Sequence, residues 1–154
     1  MGESMESIKS IKRYNQNEVL EILRCREFEK LDIWKGFAYY HDYPEILLEV
    51  QDNIPSEKNR LLAIKVLEEL DECVRLAQSW LENFNVKGDR WHPDALDAGF
   101  EVSQIYIGHY QSGGHPDLEE GFMITFRTIN YYPCEFTVKF HENMWPFAVE
   151  EYVE

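Results

Sequence analysis

Two stretches of the chain repeat one order of chemically capable residues. WHPDALDAGF (Trp91 to Phe100) and GGHPDLEEGF (Gly113 to Phe122) each run His-Pro-Asp, then acids, then Gly-Phe. Histidine with aspartate is a metal-ligand or proton-transfer set. A metal site would draw on His92, His109, His115, His141, Asp94 and Asp117. No pair among them has the i, i+4 helical spacing or the CxxC type of separation that fixes ligands locally. Turn chemistry accounts for the echo instead. Pro116 fixes its own φ and biases His115 toward an extended conformation, Asp117 closes a turn with its carboxylate, and Gly121 tolerates the start of a strand.

Nucleophilic chemistry has one candidate pair, Cys134 beside Pro133 with His141 as its base. A thiolate needs a positive environment, whereas Glu135 and the surrounding acids raise a thiol pKa, so Cys134 reads as a structural cysteine at a strand start. Glu119 with Glu120, and Asp94 with Asp97, are the carboxylate pairs open to acid and base work, but surface acids of this kind are as a rule solvated. No GxSxG, GxxxxGK(S/T) or GxGxxG occurs, and acidic neighbours would oppose a phosphate loop. The chemical alternative is therefore a metal-binding domain or hydrolase using the histidines His109, His115 and His141. The leading expectation is a binding protein with no catalytic residue and no cofactor.

Composition is the reason. A chain of 154 residues that is 44% hydrophobic and 14% aromatic can bury one core, so one domain is expected over residues 1–154, with 1–14 flexible. The net charge of −14 is unevenly spread: residues 1–30 carry six acids and six bases, 31–90 twelve and seven, and 91–154 eleven and two. Such a field repels phosphate backbones and steers basic proteins, which argues against nucleic acid and for a basic protein partner. Four Trp, nine Tyr and nine Phe include the adjacent pairs Tyr39-Tyr40 and Tyr131-Tyr132, which cannot share one face of a strand, so some rings are exposed. Exposed aromatics among carboxylates make an interface, and Asp117, Glu119, Glu120, Tyr131, Tyr132 and Glu135 are the expected partner-binding residues. Cys25, Cys73 and Cys134 are far apart, odd in number and without CxxC spacing, as suits a reduced cytoplasm. With no apolar run of about 18 residues and no apolar signal region near Met1, neither a membrane span nor a standard export signal is expected.

These residues need elements to position them. Asn15 to Lys30 predicts a short amphipathic helix, capped by Asn15 or Asn17, with Val19, Leu20, Ile22, Leu23 and Phe28 apolar. Ile33 to Tyr40 and Glu45 to Gln51 flank HDYP and predict a β-hairpin. Residues 56–85 predict one long helix, with Ala63, Leu67, Leu70, Val74, Ala77, Leu81 and Phe84 on a single face. Phe100 to Gly108 predicts a strand with a bulge near Ser103 and Gln104, where the apolar parity changes. Phe122, Ile124 and Phe126, then Phe136, Val138 and Phe140, predict half-buried antiparallel strands, and the tail after NMWPF a further strand or short helix. The expected fold is α+β, an antiparallel sheet against one long amphipathic helix with a shorter amino-terminal helix.

That order, with WKGFAYY and then ILLEVQDNIPSEKNRLLAIKVLEEL, resembles small bacterial domains in which a Trp-x-Gly strand and a second strand precede a Pro-Ser-Glu capped helix. In character the chain is similar to the immunity proteins of polymorphic or contact-dependent toxin systems. The resemblance spans residues 31–85 as element order and capping. It implies a small cytosolic protein that neutralises a basic toxin domain, a nuclease being one candidate, by tight binding without turnover. An accessory subunit of a larger complex is the third expectation.

Overall fold

The computed structural model describes residues 14–34, 37–39, 44–52, 54–88, 100–111, 118–128 and 134–153. Asn15 opens the first helix, α1 (Gln16–Cys25): its Oδ1 accepts from the Glu18 amide at 2.8 Å, and the Glu18 carboxylate accepts from the Asn15 amide at 3.2 Å. This reciprocal box satisfies two amides that a helix start leaves without partners. Arg26, at φ 56, ends the helix, and only a 3-10 turn over Phe28–Lys30 continues it, so it is shorter than the expected span. Val19, Leu20, Ile22 and Leu23 are buried as their spacing required.

The expected hairpin is a three-strand meander, β1 (Asp32–Trp34), β2 (Phe37–Tyr39) and β3 (Glu45–Glu49). The aromatic run read as one strand is two, and Gly36 at its centre is the residue of lowest strand preference in it. After β3 the chain crosses the sheet through two helices, α2 (Glu57–Glu68) and α3 (Leu70–Gly88), and returns as β4 (Phe100–Gln111) parallel to β3. A helical crossover carries the chain back to the end at which β3 began, which is why this pair is parallel. Three antiparallel neighbours complete the sheet: β5 (Leu118–Thr128), β6 (Cys134–His141) and β7 (Pro146–Val153). Among the described residues the sheet is thus mixed, seven strands in sequential order with one parallel pair, rather than wholly antiparallel.

The long helix is interrupted at Glu69 (φ −110°, ψ 27°). The Glu69 amide still donates to the Lys65 carbonyl and the Cys73 amide to that of Glu69, each at 3.0 Å, so the break re-aims the axis without reversing the chain. Steps of four and three average 3.5 residues, so the stripe drifts around a straight 3.6-residue helix. Beyond the break the buried positions are Cys73, Ala77 and Leu81, while Leu70 and Val74, expected in the core, are half-buried. No helix among the described residues is long and apolar enough to cross a membrane.

Ser56 caps α2, its hydroxyl accepting from the Asn59 amide at 3.1 Å. Arg60, only 8% exposed, donates to the Leu23 carbonyl at the end of α1 and forks onto Glu57, which also meets Arg26. The start of α2 is thereby fixed against both α1 and the core. On the sheet, Phe122, Ile124, Phe126, Phe136, Val138 and Phe140 are all buried, and the Phe122 and Phe140 rings stack at 4.4 Å. The expected bulge in β4 falls between Val102 and Gln104, and a second register shift falls between Lys139 and Phe140. Residues 1–13 and both His-Pro-Asp loops lie outside the described residues.

Candidate functional site

The end of β3, the late part of β4 and the first residues of β5 meet at one end of the sheet, beside the amino terminus of α2 and the turn from β6 to β7. Five charged side chains converge there. His109 on β4 places Nδ1 2.8 Å from Glu49 Oε1 and Nε2 2.6 Å from Glu120 Oε1, so each ring nitrogen faces a different carboxylate. The His109 amide donates to Glu49 Oε2 at 2.9 Å, and the Tyr106 hydroxyl, 3.2 Å from the same oxygen, donates to the His109 carbonyl. Glu120 also pairs with Lys58 of α2, which reaches Glu142 in the β6 to β7 turn at 2.7 Å. One connected chain, Glu49, His109, Glu120, Lys58 and Glu142, ties three strands, a helix and a turn together.

Gly108 makes this approach possible. Its φ of +149° is a backbone conformation that side chains avoid, and a Cβ there would lie 2.6 Å from Glu49 Cβ and 2.9 Å from Glu49 Oε2. The absent side chain is the space into which Glu49 bends to reach both the backbone and the ring of His109.

The geometry sets the protonation state. A neutral imidazole donates through one nitrogen and would turn its remaining lone pair on the second carboxylate, so two facing carboxylates select the imidazolium. The hydrogen bond that the ring donates to Glu49 raises the His109 pKa, and Glu120 adds to it against partial burial. Burial alone would raise Glu49, but the backbone and ring hydrogen bonds from His109 outweigh it and hold its pKa low. Glu120 is lowered chiefly by Lys58, with His109 contributing. Burial, then the charge of Glu49, raises the Tyr106 hydroxyl. A doubly donating imidazolium has no lone pair with which to accept a proton or bind a metal. Among the described residues no three His, Cys, Asp or Glu side chains gather around a common point suited to a metal ion.

The clamp gives stability a pH dependence of known sign. His109 lies above its ordinary 6.5, so its contribution is complete below about pH 6.5 and is lost as pH rises through the raised value. Glu49 and Glu120 lie below their ordinary 4.5, so theirs is complete above about pH 4.5 and is lost as pH falls through the lowered values. His109→Gln keeps hydrogen bonding but cannot titrate. Urea unfolding midpoints measured from pH 5 to 9 are expected to fall for the wild type relative to this variant above about pH 6.5, while parallel profiles would contradict the charge assignment.

Of the residues expected to bind a partner, Asp117, Tyr131 and Tyr132 lie outside the described residues, and the other three form no single patch. Glu119 and Glu120 are consecutive on β5 and face opposite sides of the sheet. Glu120 belongs to the clamp, and Glu119 is partly buried opposite Tyr110. Glu135 is exposed and stands opposite Arg127 in the ladder, eight positions along β5 from Glu119, or ~26 Å.

The expected chemical sets are not assembled either. His115 lies outside the described residues. His109 and His141 are opposite Glu120 and Gly121, consecutive residues of β5, and so diverge; the His141 ring stacks on Phe147 at 3.9 Å. Cys134 begins β6 and His141 ends it, seven residues or ~23 Å apart along one strand, so they make no dyad. The hydrogen bond to Glu21 raises the exposed Cys25 thiol, and burial pushes Cys73 up to about 12. Neither is poised as a thiolate.

Sequence reasoning missed Glu49, Lys58 and Glu142, which join His109 only through tertiary structure, and the part that Tyr106, three residues before His109 on β4, plays beside them. The one local signal was Gly108, a glycine inside a β-branched and aromatic strand, which marks a bulge or a close approach. No family model matches the chain, and neither a curated protein nor a solved structure matches it.

Proposed function

We propose that the chain is an acidic protein-binding module of the immunity type, which holds a basic partner domain by steric and electrostatic occlusion without turnover. The observation that carries this reading is where the cations of residues 91–154 are engaged. Residues 91–154 contain eleven acids and two bases. Both bases are taken by acids of the same segment: Arg127 pairs with Glu101 at 2.6 Å and Lys139 with Glu150. Among the described residues the further cations that reach acids of this segment are His109, which faces Glu120, and Lys58 of α2, which bridges Glu120 and Glu142. A field of one sign over a rigid sheet accelerates encounter with a basic domain, such as a toxin whose active site binds phosphate.

The histidine-based alternative has less support, since His109 is closed on both nitrogens and diverges from His141. An accessory subunit would use the same acidic surface and differ only in the partner's identity. Affinity capture from lysate of the expressing cells, repeated at low and high salt with mass spectrometry, tests the proposal. The expected result is one stoichiometric basic domain held at both salts, binding more slowly to the purified protein as salt rises. A specific partner without net positive charge, or an association rate indifferent to salt, would contradict it.

A further inference from the structure

The turn between β6 and β7 presents a tryptophan to solvent from a closed frame. The His141 amide donates to the Trp145 carbonyl at 3.0 Å, the Met144 amide to the His141 carbonyl at 2.9 Å, and the Trp145 amide to Asn143 Oδ1 at 3.1 Å. Met144 takes φ 75°, an uncommon conformation for a side chain of its size, and packs against the core. Met144 thus turns inward while Trp145, next to it, is 63% exposed. The indole gains little from that position in the free protein, and the turn holding it owes nothing to its packing. An aromatic ring on a rigid frame loses little freedom when a partner covers it.

Its surroundings define what would cover it. Glu142, three residues earlier and 51% exposed, pairs with Lys58 of α2. Leu61 lies one helical turn beyond Lys58, on the same side of α2, and is 53% exposed. Lys58, one turn from Leu61, and Glu142, three residues before Trp145, are joined by an ion pair, and the cations of the clamp, Lys58 and His109, are each shared between two carboxylates. An arginine fits both features: its planar guanidinium stacks on an indole face while its fork engages a carboxylate, and a neighbouring aliphatic residue can meet Leu61.

We infer that Trp145, Leu61 and Glu142 form a docking surface for an arginine-bearing segment of a partner protein, with Trp145 as its anchor. The inference rests on the reading of the chain as a binder of basic proteins and names the surface involved. It differs from the surface expected from sequence, since Glu120 here only supports Lys58 and Glu135 has no part.

The test is fluorescence anisotropy at low ionic strength with a labelled nonapeptide of alternating arginine and leucine, compared with the same peptide carrying citrulline for arginine. The wild type is expected to bind the arginine peptide at least tenfold more tightly than the citrulline peptide. Trp145→Ala should weaken arginine-peptide binding at least tenfold, Trp145→Phe less, and Leu61→Ala a few-fold, while Glu135→Gln at the far end changes nothing. Thermal midpoints identify any variant that fails to fold, and exposed Trp145 can be truncated without opening the core. Unchanged binding by Trp145→Ala, or equal losses from Trp145→Ala and Glu135→Gln, would overturn this surface while leaving the acidic-binder reading standing. A wild type that does not bind the arginine peptide at all would overturn both.

Discussion

Gly121→Ala is expected to cost about 3 kcal/mol of stability, the upper end for inserting one methyl group into a packed site. The reason lies in the register. Between Lys139 and Phe140 the ladder with β7 slips, and the Tyr110 hydroxyl reaches the Phe140 carbonyl at 2.8 Å. Gly121 stands where that hydroxyl passes. A Cβ on it would lie 2.1 Å from the Phe140 oxygen and 3.0 Å from the Tyr110 hydroxyl. The first contact is with backbone, so no rotamer relieves it, and β5 and β6 must separate or the Tyr110 bond must break. Phe122 and Phe140, stacked beside it, carry the disturbance into the core. Urea unfolding measures the loss directly, and a loss below about 1 kcal/mol would mean that the strands yield more easily than their packing implies.

The second large effect is expected at Gly108, which faces Gly121 across the β4 and β5 ladder. Gly108→Ala combines a strained positive φ with a 2.6 Å contact to Glu49 Cβ. Strain of this kind costs about 1–3 kcal/mol before the contact is counted. The more informative consequence is local. Displaced Glu49 releases the ring and amide of His109, so the variant should lose the stability decline above about pH 6.5 attributed to His109 as well as overall stability. A variant that is destabilised yet keeps the full pH dependence would show that Glu49 does not hold the ring.

These two glycines mark the boundary of what the sequence made legible. Alternation along Phe122, Ile124 and Phe126 placed the buried face correctly, because parity in a strand is a local rule. The same rule located the bulge at Ser103, and the Asn15 cap was readable from types three residues apart. What stayed hidden depends on partners far along the chain. Gly121 reads as the start of a strand, yet β5 begins at Leu118 and Gly121 is an interior residue whose role is set by Phe140. The clamp joins Glu49 to His109 across 60 residues, and no local pattern pairs them. The break at Glu69 involves no proline or glycine, so no breaker residue announces it in the sequence. The acidic pair Glu119 and Glu120 reads as one patch, but a strand sends consecutive side chains to opposite faces, and one of the two is engaged by Lys58 and His109.

These features bear on function in a consistent direction. Among the described residues His109 is held by two carboxylates, and Arg127 and Lys139 of the acidic segment pair with acids of that same segment. The acidic segment thus carries an exposed tryptophan in the turn between β6 and β7, and the His109 constellation serves as a structural tie.

That last point is open to direct measurement. Nitrogen-15 and proton NMR of the imidazole rings, with His109 assigned through His109→Gln and spectra recorded at pH 6.5, the ordinary histidine value above which His109 is held, reports whether each ring nitrogen carries a proton. The expected result is an imidazolium at His109, protonated on both nitrogens and coupled to its carboxylate acceptors. A neutral ring with one bare nitrogen would contradict the account, because that lone pair would be available for base or metal chemistry.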